Sequence, residues 1–76
     1  MKRYHFDLID VHDELQLDES DGINSDTLAD AARSAVATLA AIAKDEFGGN
    51  LKTQRLSFLI RNGAAPVLRI ELKATI

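Results

Sequence analysis

The sequence predicts an α+β domain of the order β-β-α-β-β, with one helix packed on one face of a mostly antiparallel four-stranded sheet. Three observations carry that expectation. Apolar residues alternate with polar ones near both ends of the chain, the pattern of a half-buried strand. Between them, Leu28, Ala32, Ala35, Leu39 and Ile42 recur at helical spacing. Finally, Asn62-Gly63 separates the last two alternating runs, and both residues tolerate the positive φ of a tight hairpin.

The elements follow in order. In Arg3–Asp10, Tyr4, Phe6 and Leu8 form one face, and His5, Asp7 and Ile9 the other. Val11-His12-Asp13 reads as a turn, and Glu14-Leu15-Gln16-Leu17-Asp18 as a short strand returning beside the first. Glu19-Ser20-Asp21-Gly22 breaks the regularity. Ser25 is the expected N-cap, because its hydroxyl can accept a bond from an amide of the first helical turn. The helix then runs to about Phe47, with Val36, Ala40, Ala43 and Phe47 widening its apolar ridge, and Gly48-Gly49 supplies a left-handed stop. Gln54–Arg61 is the third strand, with Leu56, Phe58 and Ile60 inward. Ala64-Ala65-Pro66 is expected to lengthen the hairpin loop beyond two residues. Val67–Thr75 is the fourth strand, with Leu68, Ile70, Leu72 and Ala74 inward.

A helix joining the second and third strands makes them point the same way. Placing the first strand between them gives the order 2-1-3-4, antiparallel throughout; 2-1-4-3 would require a parallel pair. The expected core is Tyr4, Phe6, Leu8, Val36, Leu39, Ala43, Phe58, Ile60, Ile70 and Leu72.

With 76 residues there is room for a single domain, 1–76. Folding at this size buries about 60–65% of the surface of the unfolded chain, so a deep active site would consume much of the core. Cysteine is absent, which excludes disulfides, thiol chemistry and cysteine-held zinc. The opening Met-Lys-Arg-Tyr-His-Phe-Asp lacks the apolar stretch of a signal peptide, and no run reaches the ~20 apolar residues of a membrane span. The expectation is a cytoplasmic protein without membrane contact. The net charge of −3 conceals a division: residues 1–30 carry nine acids against Lys2 and Arg3, and residues 31–76 seven bases against three acids. The simplest reading is that the halves complement each other, within one fold or across a dimer.

A set of short motifs bears on family. The chain opens Arg3-Tyr4-His5-Phe6-Asp7-Leu8, continues with Asp18-Glu19-x-x-Gly22 and Leu28-x-x-Ala31-Ala32-x-x-Ala35, and closes with Leu56-x-Phe58-x-Ile60-Arg61-Asn62 and Pro66-Val67-Leu68. In this order they resemble the bacterial family known as domain of unknown function 6894. Its members are short, begin with a Tyr-x-Phe-Asp strand, place Asp-Glu-x-Gly before an alanine-rich helix, and end in a hairpin. One extra residue stands between Glu19 and Gly22 here. The resemblance implies the fold, and it brings no activity and no catalytic residue. A fainter similarity is to HicB-type antitoxins, without their proline-glycine segment before the helix and without a DNA-binding tail after Ile76.

The chemistry-bearing residues read mostly as structure. His5 and Asp7 share one strand face, near Asp10, His12 and Asp13, and a metal could be imagined there. An EF-hand counted back from Gly22 puts Leu17 and Leu28 where acids are required, so a solvated polar face is the expectation. Ser20, Ser25, Ser34 and Ser57 lack a nucleophile's context. Gly48-Gly49-Asn50 follows a helix, so it cannot cradle phosphate at a helix N-terminus. The expectation is therefore no catalysis, no metal and no cofactor.

What remains is the outer face of the last hairpin, with Arg55, Leu59, Arg61, Val67, Arg69, Glu71 and Lys73. Apolar groups among charges mark a modest contact surface. The leading expectation is a protein-interaction module, with an unidentified protein partner, that self-associates as a homodimer. Nucleic-acid binding or an antitoxin-like regulator is the alternative. It ranks second because Glu71 interrupts the basic face and no aromatic lies there to stack a base.

Overall fold

A computed structural model describes residues 2–47 and 54–75. The chain runs β1 (Lys2–Ile9), β2 (Leu15–Gln16), β3 (Ile23–Ser25), α1 (Leu28–Phe47), β4 (Gln54–Asn62) and β5 (Ala65–Ala74). One sheet has the order β2-β1-β4-β5, with β3 also pairing β1, and every pairing is antiparallel. With β3 set aside this is the expected order 2-1-3-4. The expected Gly48-Gly49 helix stop lies outside the described residues.

The fifth strand corrects the four-stranded expectation. β2 covers only Leu8 and Ile9 of β1, which leaves the first half of β1 without a neighbour on that side. Ile23–Ser25 supplies it, pairing with Lys2–Tyr4. Ser25 is therefore consumed as a strand residue, and Thr27 caps the helix instead. Its hydroxyl accepts the Asp30 amide at 3.1 Å and its carbonyl the Ala31 amide at 3.2 Å.

The core lies between α1 and the middle of the sheet. Ala31, Ala35, Leu39 and Ala43, spaced by four, are buried against Tyr4, Leu56, Phe58 and Ile60. Three alanines in four contact positions let the backbone of the helix come close to the sheet, which narrows the buried stripe. Val36, one step round the helix from Ala35, is consequently 52% exposed, contrary to expectation. Leu72 is also more open than expected, at 39%, because it lies on the marginal strand. Phe6, Leu8 and Ile70 pack around the core half-buried, and the Phe6 and Phe58 rings lie 5.6 Å apart.

The β4–β5 hairpin is tighter than expected. Asn62 pairs with Ala65, so the loop is Gly63-Ala64. Gly63 has φ 62°, the positive value that a type II′ turn requires at its first central residue. The extra length appears instead as a β-bulge: Ile60 faces Leu68 while Arg61 faces Pro66, leaving Val67 over.

Candidate functional site

The sheet face away from α1 is where the candidate residues gather. Strand alternation and register place Arg55, Leu59 and Arg61 of β4 beside Lys73, Arg69 and Pro66 of β5, with His5, Asp7 and Ile9 of β1 on the other flank. The face holds two polar clusters, and neither is the open solvated surface that alternation suggested.

The first cluster centres on Asp7, whose side chain is only 7% exposed. Asp7 Oδ2 accepts from Arg61 Nε at 2.9 Å, and Oδ1 accepts the backbone amide of Asp18 at 2.8 Å. Arg61 has two further bonds, to the carbonyl oxygens of Asp18 at 3.0 Å and Gly63 at 2.9 Å. The Asp18 carboxylate takes the Phe6 amide at 3.0 Å and both the amide and the hydroxyl of Ser20. The Ser20 hydroxyl oxygen in turn accepts the Gly22 amide at 3.0 Å.

The cluster has a plain structural origin. From Leu8 back to Tyr4 is four steps along β1, but the facing residues run seven steps, from Gln16 to Ile23. Three residues are therefore in excess, and the chain between β2 and β3 must swing away from the ladder. The Asp18 carboxylate then supplies the acceptor that a strand carbonyl would have offered to Phe6. Gly22 completes the return at φ 75°, where a Cβ would stand 2.5 Å from the Tyr4 carbonyl oxygen.

Burial works against the charge on Asp18. The Ser20 hydroxyl, the amides of Phe6 and Ser20, and His5 outweigh it, so the carboxyl titrates below the usual 3.8. His5 Nδ1 is buried, has no hydrogen-bond partner among the described residues, and stands 3.9 Å from Asp18 Oδ2. Ser20, Asp18 and His5 thus lie in sequence, but the serine hydroxyl donates to the carboxylate instead of to the imidazole. Nothing here activates it as a nucleophile. Among the described residues, no group of three His, Cys, Asp or Glu side chains is placed to hold a metal ion.

The second cluster covers Ser57, which is 1% exposed. Arg69 donates to the Ser57 hydroxyl at 3.3 Å and pairs with Glu71 at 3.6 Å. At the far end of the face, Arg55 and Lys73 sit opposite each other, and Asp13, at φ 61° in the first turn, approaches Arg55 to 3.4 Å. Asp10 organises that turn. Its carboxylate accepts the Glu14 and His12 amides, which hold its pKa below the usual value against a small effect of burial.

Of the seven residues expected on the contact face, Arg61 is therefore committed to Asp7, Arg55 to Asp13, and Arg69 to Glu71. Leu59 is half-buried, Val67 is 43% exposed on the bulge, and Lys73 is exposed. Two of these pairs, Asp7–Arg61 and Asp13–Arg55, join the acidic first half to the basic second half within one chain. The expectation for His5 and Asp7 as a solvated face is corrected, since the displaced 17–22 segment and Arg61 cover Asp7.

A family model, Domain of unknown function (DUF6894), matches residues 3–73. The chain belongs to that family. Its match spans the whole Asp7–Asp18–Arg61 cluster, so in this member of the DUF6894 family the motifs that carry the resemblance converge on one polar bracket. What the sequence offered was membership alone: Asp7, Asp18, Gly22 and Arg61 all stand in the motifs, without any sign that they meet. No curated protein and no solved structure matches the chain. Among the described residues, no helix is long and apolar enough to cross a membrane.

Proposed function

We propose that this DUF6894 protein is a non-catalytic interaction module that self-associates as a two-fold dimer and, in that form, presents a surface to a further protein. The observation carrying the reading is the margin of the sheet at β5. This ten-residue strand has no neighbour on its outer side among the described residues. It leaves Val67, Leu68 and Leu72 exposed at 43%, 37% and 39%. An edge of that length, with apolar side chains beside unpaired backbone groups, invites another strand.

The pairing of Arg61 with buried Asp7, and of Arg55 with Asp13, favours this reading over nucleic-acid binding, because both guanidiniums already have an anionic neighbour. Sedimentation equilibrium at micromolar concentrations tests it. The expected mass is twice the 8.3 kDa of one chain, and 8.3 kDa at every concentration would overturn the proposal. Salt-sensitive retention on heparin by a monomer would support the nucleic-acid alternative instead.

A further inference from the structure

We infer that the second copy docks on the outer edge of β5, antiparallel and in a single register centred on Ile70; this rests on the self-association proposed above. The segment Leu68-Arg69-Ile70-Glu71-Leu72 is its own complement. Reversed about Ile70, it keeps leucine in place of leucine and exchanges arginine for glutamate. A two-fold antiparallel pair performs that reversal. Ile70 then faces Ile70 of the other copy once, on the two-fold axis, while Arg69 facing Glu71 and Leu68 facing Leu72 each occur twice.

The observed geometry suits this register on both faces of the sheet. Leu68, Ile70 and Leu72 pair with Ile60, Phe58 and Leu56 and share the α1 side. The two exposed leucines of each copy thus gain an apolar neighbour across the seam. Arg69 and Glu71 share the opposite side, 52% and 40% exposed, and their mutual contact of 3.6 Å is loose enough to open toward a neighbouring strand. Adjacent registers are penalised. Centring the pair on Arg69 sets arginine against arginine, and centring it on Glu71 sets glutamate against glutamate and Arg69 against Lys73. The ladder also has natural limits, because Val67 sits in a bulge and Pro66 has no amide hydrogen to donate.

Charge reversal and cross-linking test the register, with folding of each variant confirmed by circular dichroism. Arg69→Glu or Glu71→Arg alone turns both cross-seam pairs repulsive and should weaken the dimer about tenfold. The double variant Arg69→Glu/Glu71→Arg restores the complement and should return affinity to within about threefold of the parent. The chain has no cysteine, so Ile70→Cys provides a unique thiol. Mild oxidation should link two copies at that position, whereas Lys73→Cys should not link, its two thiols lying about 20 Å apart in this register. A dimer indifferent to both charge reversals, or one that links through Lys73→Cys and not Ile70→Cys, would overturn the register and leave self-association standing. A parent chain monomeric throughout would overturn both.

Discussion

Replacing Arg61 by methionine tests whether the open-face bracket is a structural necessity. Methionine retains much of the apolar stem and removes three donated bonds, to Asp7, Asp18 and Gly63. Asp7 is left as a carboxylate 7% exposed, with the Asp18 amide its remaining bond among those described. Hydrogen bonds to charged groups contribute about 1.5–3 kcal/mol, and removing one partner of a fully buried pair costs about 3–5 kcal/mol. Arg61 is 25% exposed, so water can reach the vacated space and the lower part of the range applies. The expected loss is about 2–3 kcal/mol, against the ~4–11 kcal/mol that a domain of this length can hold. Urea unfolding followed by circular dichroism, at fixed protein concentration and neutral pH, reads it directly. Asp7→Asn in the Arg61→Met background should recover at least about 1.5 kcal/mol relative to additivity, since the orphaned charge is gone. A loss below about 0.5 kcal/mol for Arg61→Met, or an additive double variant, would refute the reasoning.

Two other outcomes follow from the same structure. Leu39→Ala, at 1% exposure in the centre of the helix–sheet contact, should cost about 2–4 kcal/mol, whereas Val36→Ala should stay within about 0.5 kcal/mol; equal losses would place the helix face wrongly. Asp18 titrates below 3.8 in the folded chain, so its contribution is complete above that value and disappears as pH falls through the lower folded value. Urea midpoints measured downward from neutrality should therefore show a shallower acid limb for Asp18→Asn than for the parent, and parallel limbs would contradict the assignment.

Alternation was enough to place β1, β4 and β5, because β1 and β4 turn one face to the helix core, where a one-residue slip would invert them, and β5 keeps register with β4. The helix was legible from its repeat, and the ridge through Leu28, Ala32, Ala35, Leu39 and Ile42 does meet the core, but the edges of the buried stripe were not legible. Alanine is too small to say which of two adjacent stripes meets the sheet, and the stripe through Ala31, Ala35 and Leu39 prevailed over Val36. β3 escaped because Ile23-Asn24-Ser25 is too short to show a period, and Ser25 also satisfied the rules for a helix cap. The bracket was hidden for another reason. Asp7 and Arg61 are far apart in sequence, and a charged residue on an outward strand position ordinarily faces water. Only the path of residues 17–22, set by three excess residues, determines that this one is covered.

That detour also bears on stoichiometry. A sheet has two lateral margins, and a protein with both free to add strands can grow without limit. Here the margin beside β1 is broken into a two-residue and a three-residue piece, with the Asp18 carboxylate holding the amide between them. Among the described residues no strand on that side exceeds three residues, and exposed Leu15 and Leu17 stand in or just past a ladder of two. In the dimer proposed above, growth by strand addition through β5 would end at two copies, because both outer margins of the pair would be of the interrupted kind. On that proposal the bracket around Asp7 would serve as a chain terminator, leaving the sheet one margin for pairing and no route to a fibre.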